Sequence, residues 1–336
     1  MTDPARGRGP EVLFLVAAAA CWGIGTVASK QAVAEFPPLT LLAIQLATSV
    51  TFLAVLARAR GEAPSPSADG RLLSRLGLLN PGLAYALSLA GLTQISASLS
   101  VLLWASEPIL ILALAAFVLG ERLGLSIIGS SGVAILGLVL VVFDPAASGS
   151  ALGVGLTVAG VVACAIYSVA VRRVLPGAID STLQVVRGQQ QYALGMSLVL
   201  LVGVTVAGES ITPVSPSTFG IISAVGSGLL YYSFAYLCYL SALRHMLVSV
   251  AAASFFLIPI FGVSGGLLAG ERLEPIQWLG AILVVVAVAV ITTRPRSAAS
   301  ATAIGPAGRR ALPAGQPSSA ADSAQIATVP SAASRR

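Results

Sequence analysis

Charge is scarce in this chain. Asp, Glu, Lys and Arg together make up 10% of its 336 residues, against 56% hydrophobic. A water-facing globular surface needs about a quarter of its residues charged, so a soluble enzyme, a DNA-binding protein and a disordered scaffold are excluded. Histidine occurs once, as His245, which removes zinc sites and catalytic dyads built on several histidines. Of the acidic residues only Glu107 lies clearly within an apolar run, so no intramembrane aspartyl pair exists. There is no Walker sequence, so ATP is not an energy source within the chain. Cys21, Cys164 and Cys238 stand singly in apolar segments and read as small buried hydrophobes. The chain is thus expected to be no enzyme, and to need no cofactor or metal. Segments alternating with period two are missing too, which excludes a membrane β-barrel.

What is present is a series of apolar runs, each near the roughly 20 residues that span a bilayer as a helix. Ten can be drawn: Val12–Ala28, Pro38–Ala57, Leu76–Leu92, Ile95–Leu119, Leu125–Phe143, Ala151–Val171, Leu183–Val206, Thr218–Leu240, Leu247–Leu268 and Gln277–Thr292. Ala18-Ala19-Ala20-Cys21 loosely resembles a lipoprotein cleavage site, but the first run continues past it to full span length. With residues 1–11 placed in the cytoplasm, 17 of the 19 basic residues fall on the inner side. Lys30 and Arg272 alone fall outside. This positive-inside bias predicts a multi-pass protein of the inner (cytoplasmic) membrane with both termini cytoplasmic. It also accounts for the net charge of +6 without nucleic acid as a partner. Residues 293–336, rich in Ala, Ser, Pro, Gly and Arg, cannot bury a core and are expected to form a disordered tail.

The chain repeats itself. Leu119-Gly120-Glu121-Arg122-Leu123 recurs as Ala269-Gly270-Glu271-Arg272-Leu273, 150 residues later, and Pro108 recurs as Pro259. Residues 12–143 and 151–292 are therefore two five-span halves. Five is odd, so consecutive halves enter the membrane from opposite sides. The expected fold is an all-α membrane protein of ten transmembrane helices in two inverted five-helix repeats. Many secondary transporters share this design, with a substrate pathway between the halves near the midplane. Pro108 and Pro259 are candidates for helix bending. Gly120 on one helix, and Gly262, Gly266 and Gly270 on another, are candidates for close helix packing.

These residues resemble the drug/metabolite transporter superfamily, EamA type. The resemblance rests on Trp22-Gly23 with Lys30 closing the first span, Pro38 opening the second, and the duplicated Pro…Gly-Glu-Arg-Leu order. It implies ten helices, cytoplasmic termini, and export or uptake of small metabolites, often amino acids. Many members carry a basic residue where this chain has Gln45, and the departure suggests a neutral or zwitterionic substrate.

Glu107 is the first candidate for substrate or proton binding. A carboxylate in a span costs about 2.5–3.5 kcal/mol on insertion scales, so it faces a cavity or is neutralised; a protonated carboxyl bonded to a nearby carbonyl is the bland alternative. Trp22, Tyr232 and Tyr236, with Trp104, Tyr167 and Tyr231, are candidates for lining a cavity and gripping a cation through a ring face, though packing alone explains aromatic side chains equally well. Tyr232 and Tyr236 share a helix face at i,i+4 spacing. Arg187 and Gln189, Gln190 and Gln191 lie early in the seventh span. Three successive glutamines fan too widely for one face, and an interfacial helix end competes with a substrate role. Gln94 and Asn80 are weaker candidates. Lys30 and Arg272 read as snorkelling bases or an outer gate. Glu121 and Glu271 are expected to cap the helices that begin after them. The reading is a secondary transporter exporting an amino acid or related amphipathic metabolite through a lipid bilayer, with protons as a candidate coupling ion and a homodimer as a candidate assembly. Broad-specificity drug efflux and a non-transport sensor or assembly factor remain alternatives. Deletion of residues 297–336 is expected to leave transport intact, as measured by uptake into proteoliposomes; only the sensor or assembly reading needs the tail.

Overall fold

The computed structural model describes residues 9–62, 67–92, 94–95, 103–104, 106–121, 123–142, 150–208, 211–212, 215–262 and 275–293. Among these the chain is helical, with no strand. The helices are α1 (Gly9–Val33), α2 (Pro38–Ala59), α3 (Ala68–Arg75), α4 (Ala84–Leu92), α5 (Glu107–Leu119), α6 (Leu125–Val142), α7 (Ala151–Val174), α8 (Thr182–Val206), α9 (Thr218–Ser227), α10 (Ala235–Leu243), α11 (Val248–Ala253) and α12 (Pro275–Thr293). Five stretches among the described residues are long and apolar enough to cross a bilayer: Gly9–Val33, Pro38–Ala59, Ala151–Gly177, Thr182–Val206 and Thr218–Leu243. Four shorter apolar helices accompany them. The outer faces are apolar, with Phe117 and Leu125 almost wholly exposed. Such a surface suits lipid, not water.

Two stretches depart from regular helix in matching places. Between α3 and α4 the chain passes through a 3₁₀ turn, Leu76–Leu78, and then a kink at Asn80, whose backbone is extended with φ −147° and ψ 123°. Between α9 and α10 a π-helical segment spans Gly228–Phe234. The sequence pattern predicts unbroken spans there, since Gly77, Pro81 and Gly82 are tolerated within a membrane helix. A short separate helix, α3, precedes the expected start at Leu76.

The halves interlock. The first helix of each half packs on the other half: α1 lies along α9 and α10, and α7 along α4, while α3 lies on α8. The helices α2 and α8 pack on each other, as do α6 and α12. Glycine sets the spacing at two equivalent crossings. A Cβ on Gly77 would run into the backbone of Gln189 on α8, and one on Gly228 would lie 2.8 Å from the carbonyl oxygen of Gln45 on α2. No side chain fits between these backbones.

Three sequence expectations change here. Gly120 has φ +65° and closes α5 in the left-handed conformation, and among the described residues a Cβ there would meet nothing within 4 Å, so its conformation and not close packing calls for glycine. Glycine takes that conformation without steric cost. Among the described residues a Cβ on Gly262 would meet only the Gly23 carbonyl oxygen, at 3.8 Å, whereas a Cβ on Gly23 would lie 2.6 Å from the Phe261 Cβ. The tight member of that contact is therefore Gly23. Gly266, Gly270 and Glu271 lie outside the described residues. Glu121 does cap a helix, but not the one that follows it. Its carboxylate accepts from the Val248 and Ser249 amides at 3.1 and 3.3 Å and from the Ser249 hydroxyl at 2.5 Å. It thus ties the end of α5 to the start of α11 in the other half.

The same end of the molecule is held by Arg244. Its guanidinium donates to the carbonyls of Leu175, Ala178 and Asp180 and to the Thr182 hydroxyl, and so fixes the turn between α7 and α8. Gly77→Ala is expected to cost about 3 kcal/mol, the upper range for overpacking, and to lower the melting temperature in detergent. Gly226→Ala, where a Cβ meets nothing within 4 Å, should melt like the parent.

Candidate functional site

Glu107 opens α5. Ser106 precedes it at the cap position and Pro108 follows within the first turn. Proline suits that position, since its missing N–H would have no partner inside the helix. Pro108 thus sits in the first turn of α5. Pro259 is placed alike, just after the 3₁₀ turn Ser254–Leu257. Both prolines follow an interruption of their span. The first turn of a helix also favours a carboxylate through the unpaired amides there, which is one reason an acid persists at this depth.

Glu107 is 6% exposed. The Cys164 thiol, on α7, lies within hydrogen-bonding reach of its carboxyl. Its Oε1 has no hydrogen-bond partner among the described residues. A buried carboxyl oxygen without a donor is costly, and the cost is relieved by a proton or by a cationic ligand.

Around Glu107 the core is aromatic. Tyr231 and Tyr239 are near enough to feel its charge. Tyr85, on α4, donates to the Tyr231 hydroxyl at 3.0 Å and stacks on Trp104 at 5.7 Å between ring centroids. Tyr85 also meets Tyr232 edge-on at 5.8 Å. Trp22, on α1, meets Tyr236, Tyr239 and Phe255 edge-on, all within 5.6 Å, and its indole N–H is without a partner among the described residues. Tyr167 joins the group through Tyr236 at 6.4 Å. Helices of both halves thus supply one polar-aromatic cluster.

The geometry belongs with two copies of a known unit. The sequence profile of the EamA-like transporter family matches residues 9–143 and again residues 151–293. The chain belongs to this family. A solved structure described only as "Crystal structure of protein" superposes on the EamA chain with a TM-score of 0.72, covering 84% of this chain and 96% of its own at 20% identity. That likeness concerns the fold alone. No curated protein matches the sequence.

Within the EamA fold, the candidates read from sequence separate into groups. Glu107, Trp22, Tyr232 and Tyr236 come together in the cluster, with Trp104, Tyr167 and Tyr231. Tyr232 and Tyr236 lie on either side of the end of the π-helical segment, and Tyr232 meets Tyr85 while Tyr236 meets Trp22. Gln45 is elsewhere. Its amide donates to Ser29 and Ser227 at 2.9 and 2.8 Å, holding α1, α2 and α9 together. Gln189 accepts from the Tyr167 hydroxyl at 2.8 Å and donates to the Leu73 carbonyl at 3.2 Å. Gln190 is fully buried and Gln191 exposed, as three successive positions on a helix require. Arg187 is half-buried near the start of α8, apart from the ring contacts and hydrogen bonds that define the cluster. Gln94 accepts from Ser150 at the chain surface. The side chain of Lys30 and all of Arg272 lie outside the described residues.

Sequence reasoning did not single out Cys164, Tyr85, Tyr239 or Phe255. No spacing signal marks them, since each is a lone residue in an apolar run whose partners come from other helices. Two shallow hollows on the outside, of about 590 and 360 Å³, are lined by Gln191, Tyr192 and Met196 and by Ser126, Ser130 and Val286 among others. Neither lining includes Glu107, and both are open grooves on apolar flanks, so the buried cluster is the better candidate site. Glu107→Gln keeps the shape and removes the buried charge. It is expected to fold with unchanged melting temperature and to lose about tenfold or more in transport, the scale of one charge-assisted hydrogen bond.

Proposed function

We propose that the protein is a ten-crossing secondary transporter of the cytoplasmic membrane that exports a small amphipathic metabolite bearing an ammonium group, an amino acid or close relative. The observation that carries this reading is Glu107: a buried carboxylate with one oxygen unpartnered among the described residues, close to Tyr231 and Tyr239 of the aromatic cluster. A substrate ammonium satisfies that oxygen and gains cation–π contact with the rings. With substrate absent, a proton on the carboxyl serves the same electrostatic need, so proton exchange for substrate is the natural coupling. Inverted halves supply alternating access by rocking about the cluster. The arginine distribution puts both termini in the cytoplasm.

Broad-specificity efflux of organic cations is the second reading. It is favoured by the preponderance of rings over directional polar groups in the cluster, since a π face grips many cations alike. Counterflow in proteoliposomes, with labelled amino acids and one lipophilic organic cation at two pH values, tests both. Saturable exchange of an amino acid, with pH dependence lost in Glu107→Gln, is the expected result. Exchange of the cation alone would establish the efflux reading. No exchange of either from folded protein would remove the transporter reading.

A further inference from the structure

The repeat extends to a pair of carboxylates that the Gly-Glu motif does not reveal. Glu35 follows the first helix of the first half, and Asp180 follows the first helix of the second. Each reaches across to the other half and binds a serine that caps a helix there. The Glu35 carboxylate accepts from the Ser217 amide at 2.6 Å and its hydroxyl at 2.8 Å, at the start of α9. The Asp180 carboxylate accepts from the Ser67 amide at 2.9 Å and from the Ser67 hydroxyl, at the start of α3. Ser217 and Ser67 each then accept from the glycine amide three residues on, Gly220 and Gly70, both at 3.0 Å. A Cβ on either glycine would collide with the carboxylate. Both the serines and the glycines are 150 residues apart, the spacing of the two Gly-Glu pairs.

The two contacts sit at opposite ends of the molecule. The α1–α2 turn and the α9 start share one end; the α7–α8 turn and the α3 start share the other. Each joins one half to the other, and a charged side chain on a helix N-terminus is a strong, short-range bond. Two halves that rock against each other must separate at one end at a time. We propose that these two carboxylate–serine clasps are the gates of the transport cycle: opening at one membrane face releases that face's clasp while the opposite one stays made. The pair is unequal. Asp180 is buried, Arg244 braces its backbone, and Glu62 accepts from the neighbouring Ser181 at 2.5 Å. The Glu35 clasp is half-exposed, and at its end the Thr40 hydroxyl also crosses to the Ile211 carbonyl, at 2.8 Å. Water competes for the bonds of the more exposed clasp, so the Glu35 end is the one that opens more readily.

This inference rests on the transporter reading, but its test needs no substrate, so failure of counterflow and failure of the gates are separable. Cys164, beside Glu107, is a native reporter of access to the centre. In full-length protein carrying Cys21→Ser and Cys238→Ser, its reaction with a membrane-impermeant methanethiosulfonate is followed in right-side-out and inside-out vesicles. Glu35→Gln is expected to raise the rate about tenfold from the Glu35 face only, because a hydrogen bond to a charged group is lost from the closed state alone. Asp180→Asn is expected to do so from the opposite face only. Ser217→Ala and Ser67→Ala remove the same bonds from the other partner and replace any carboxamide variant that does not fold. Rates that rise from both faces, rise from the wrong face, or stay unchanged in folded variants of both kinds would overturn the proposal.

Discussion

The first helix of each half packs on the other half, and this exchanged packing is the constraint on which the remaining features depend. A chain solvated by lipid gains little from burying apolar groups, so its helices associate through close backbone approach and polar contacts. Gly77 and Gly228 give that approach at equivalent crossings. Glu35, Asp180 and Glu121 supply cross-half caps at helix N-termini. Each satisfies amides that lipid could not. Among the described acids, Glu35, Glu62, Glu121 and Asp180 each bind a serine of the other half or of a turn that adjoins it, at an end of the bundle.

Glu107 differs from those acids. It lies in the first turn of a helix that begins within the core, and Cys164 is the side chain within reach of its carboxyl. The end acids are saturated with donors, whereas Glu107 keeps an oxygen without one among the described residues. Asp180 shows the contrast outside the spans. Burial acts to raise its carboxyl pKa, but the Ser67 hydroxyl and amide and the Arg244 charge outweigh that and hold it below the usual carboxylate range. A saturated acid holds structure, and an unsaturated one is available to a ligand.

Much of this was legible in the sequence, because lipid imposes simple rules. Apolar run length marked the all-helical class and the five stretches of membrane length among the described residues, and the recurrence of Gly120-Glu121 as Gly270-Glu271 led to the EamA-type family. Glu107 stood out as an acid in an apolar run. What could not be read depends on contacts between helices. The extended backbone at Asn80 and the π-helical segment Gly228–Phe234 interrupt runs that apolar length alone presents as continuous helices. Gly120 looked like a packing glycine because spacing does not report φ. The cap from Glu121 goes to α11 and not to the nearer helix, since only the interlocked halves bring Ser249 to it. Tyr85 and Cys164 carry no mark of their own, and helix packing alone places them beside Tyr231 and Glu107.

The most direct measurement is of distance at both ends of the bundle in a bilayer. Spin labels at Leu72→Cys and Ile179→Cys report one end, and labels at Gln31→Cys and Phe219→Cys the other; all four side chains are exposed. Two interlocked halves rocking about a central site predict two distance populations at each end, shifting in opposite senses when pH or substrate is changed. A single fixed distance at both ends under every condition would contradict the account.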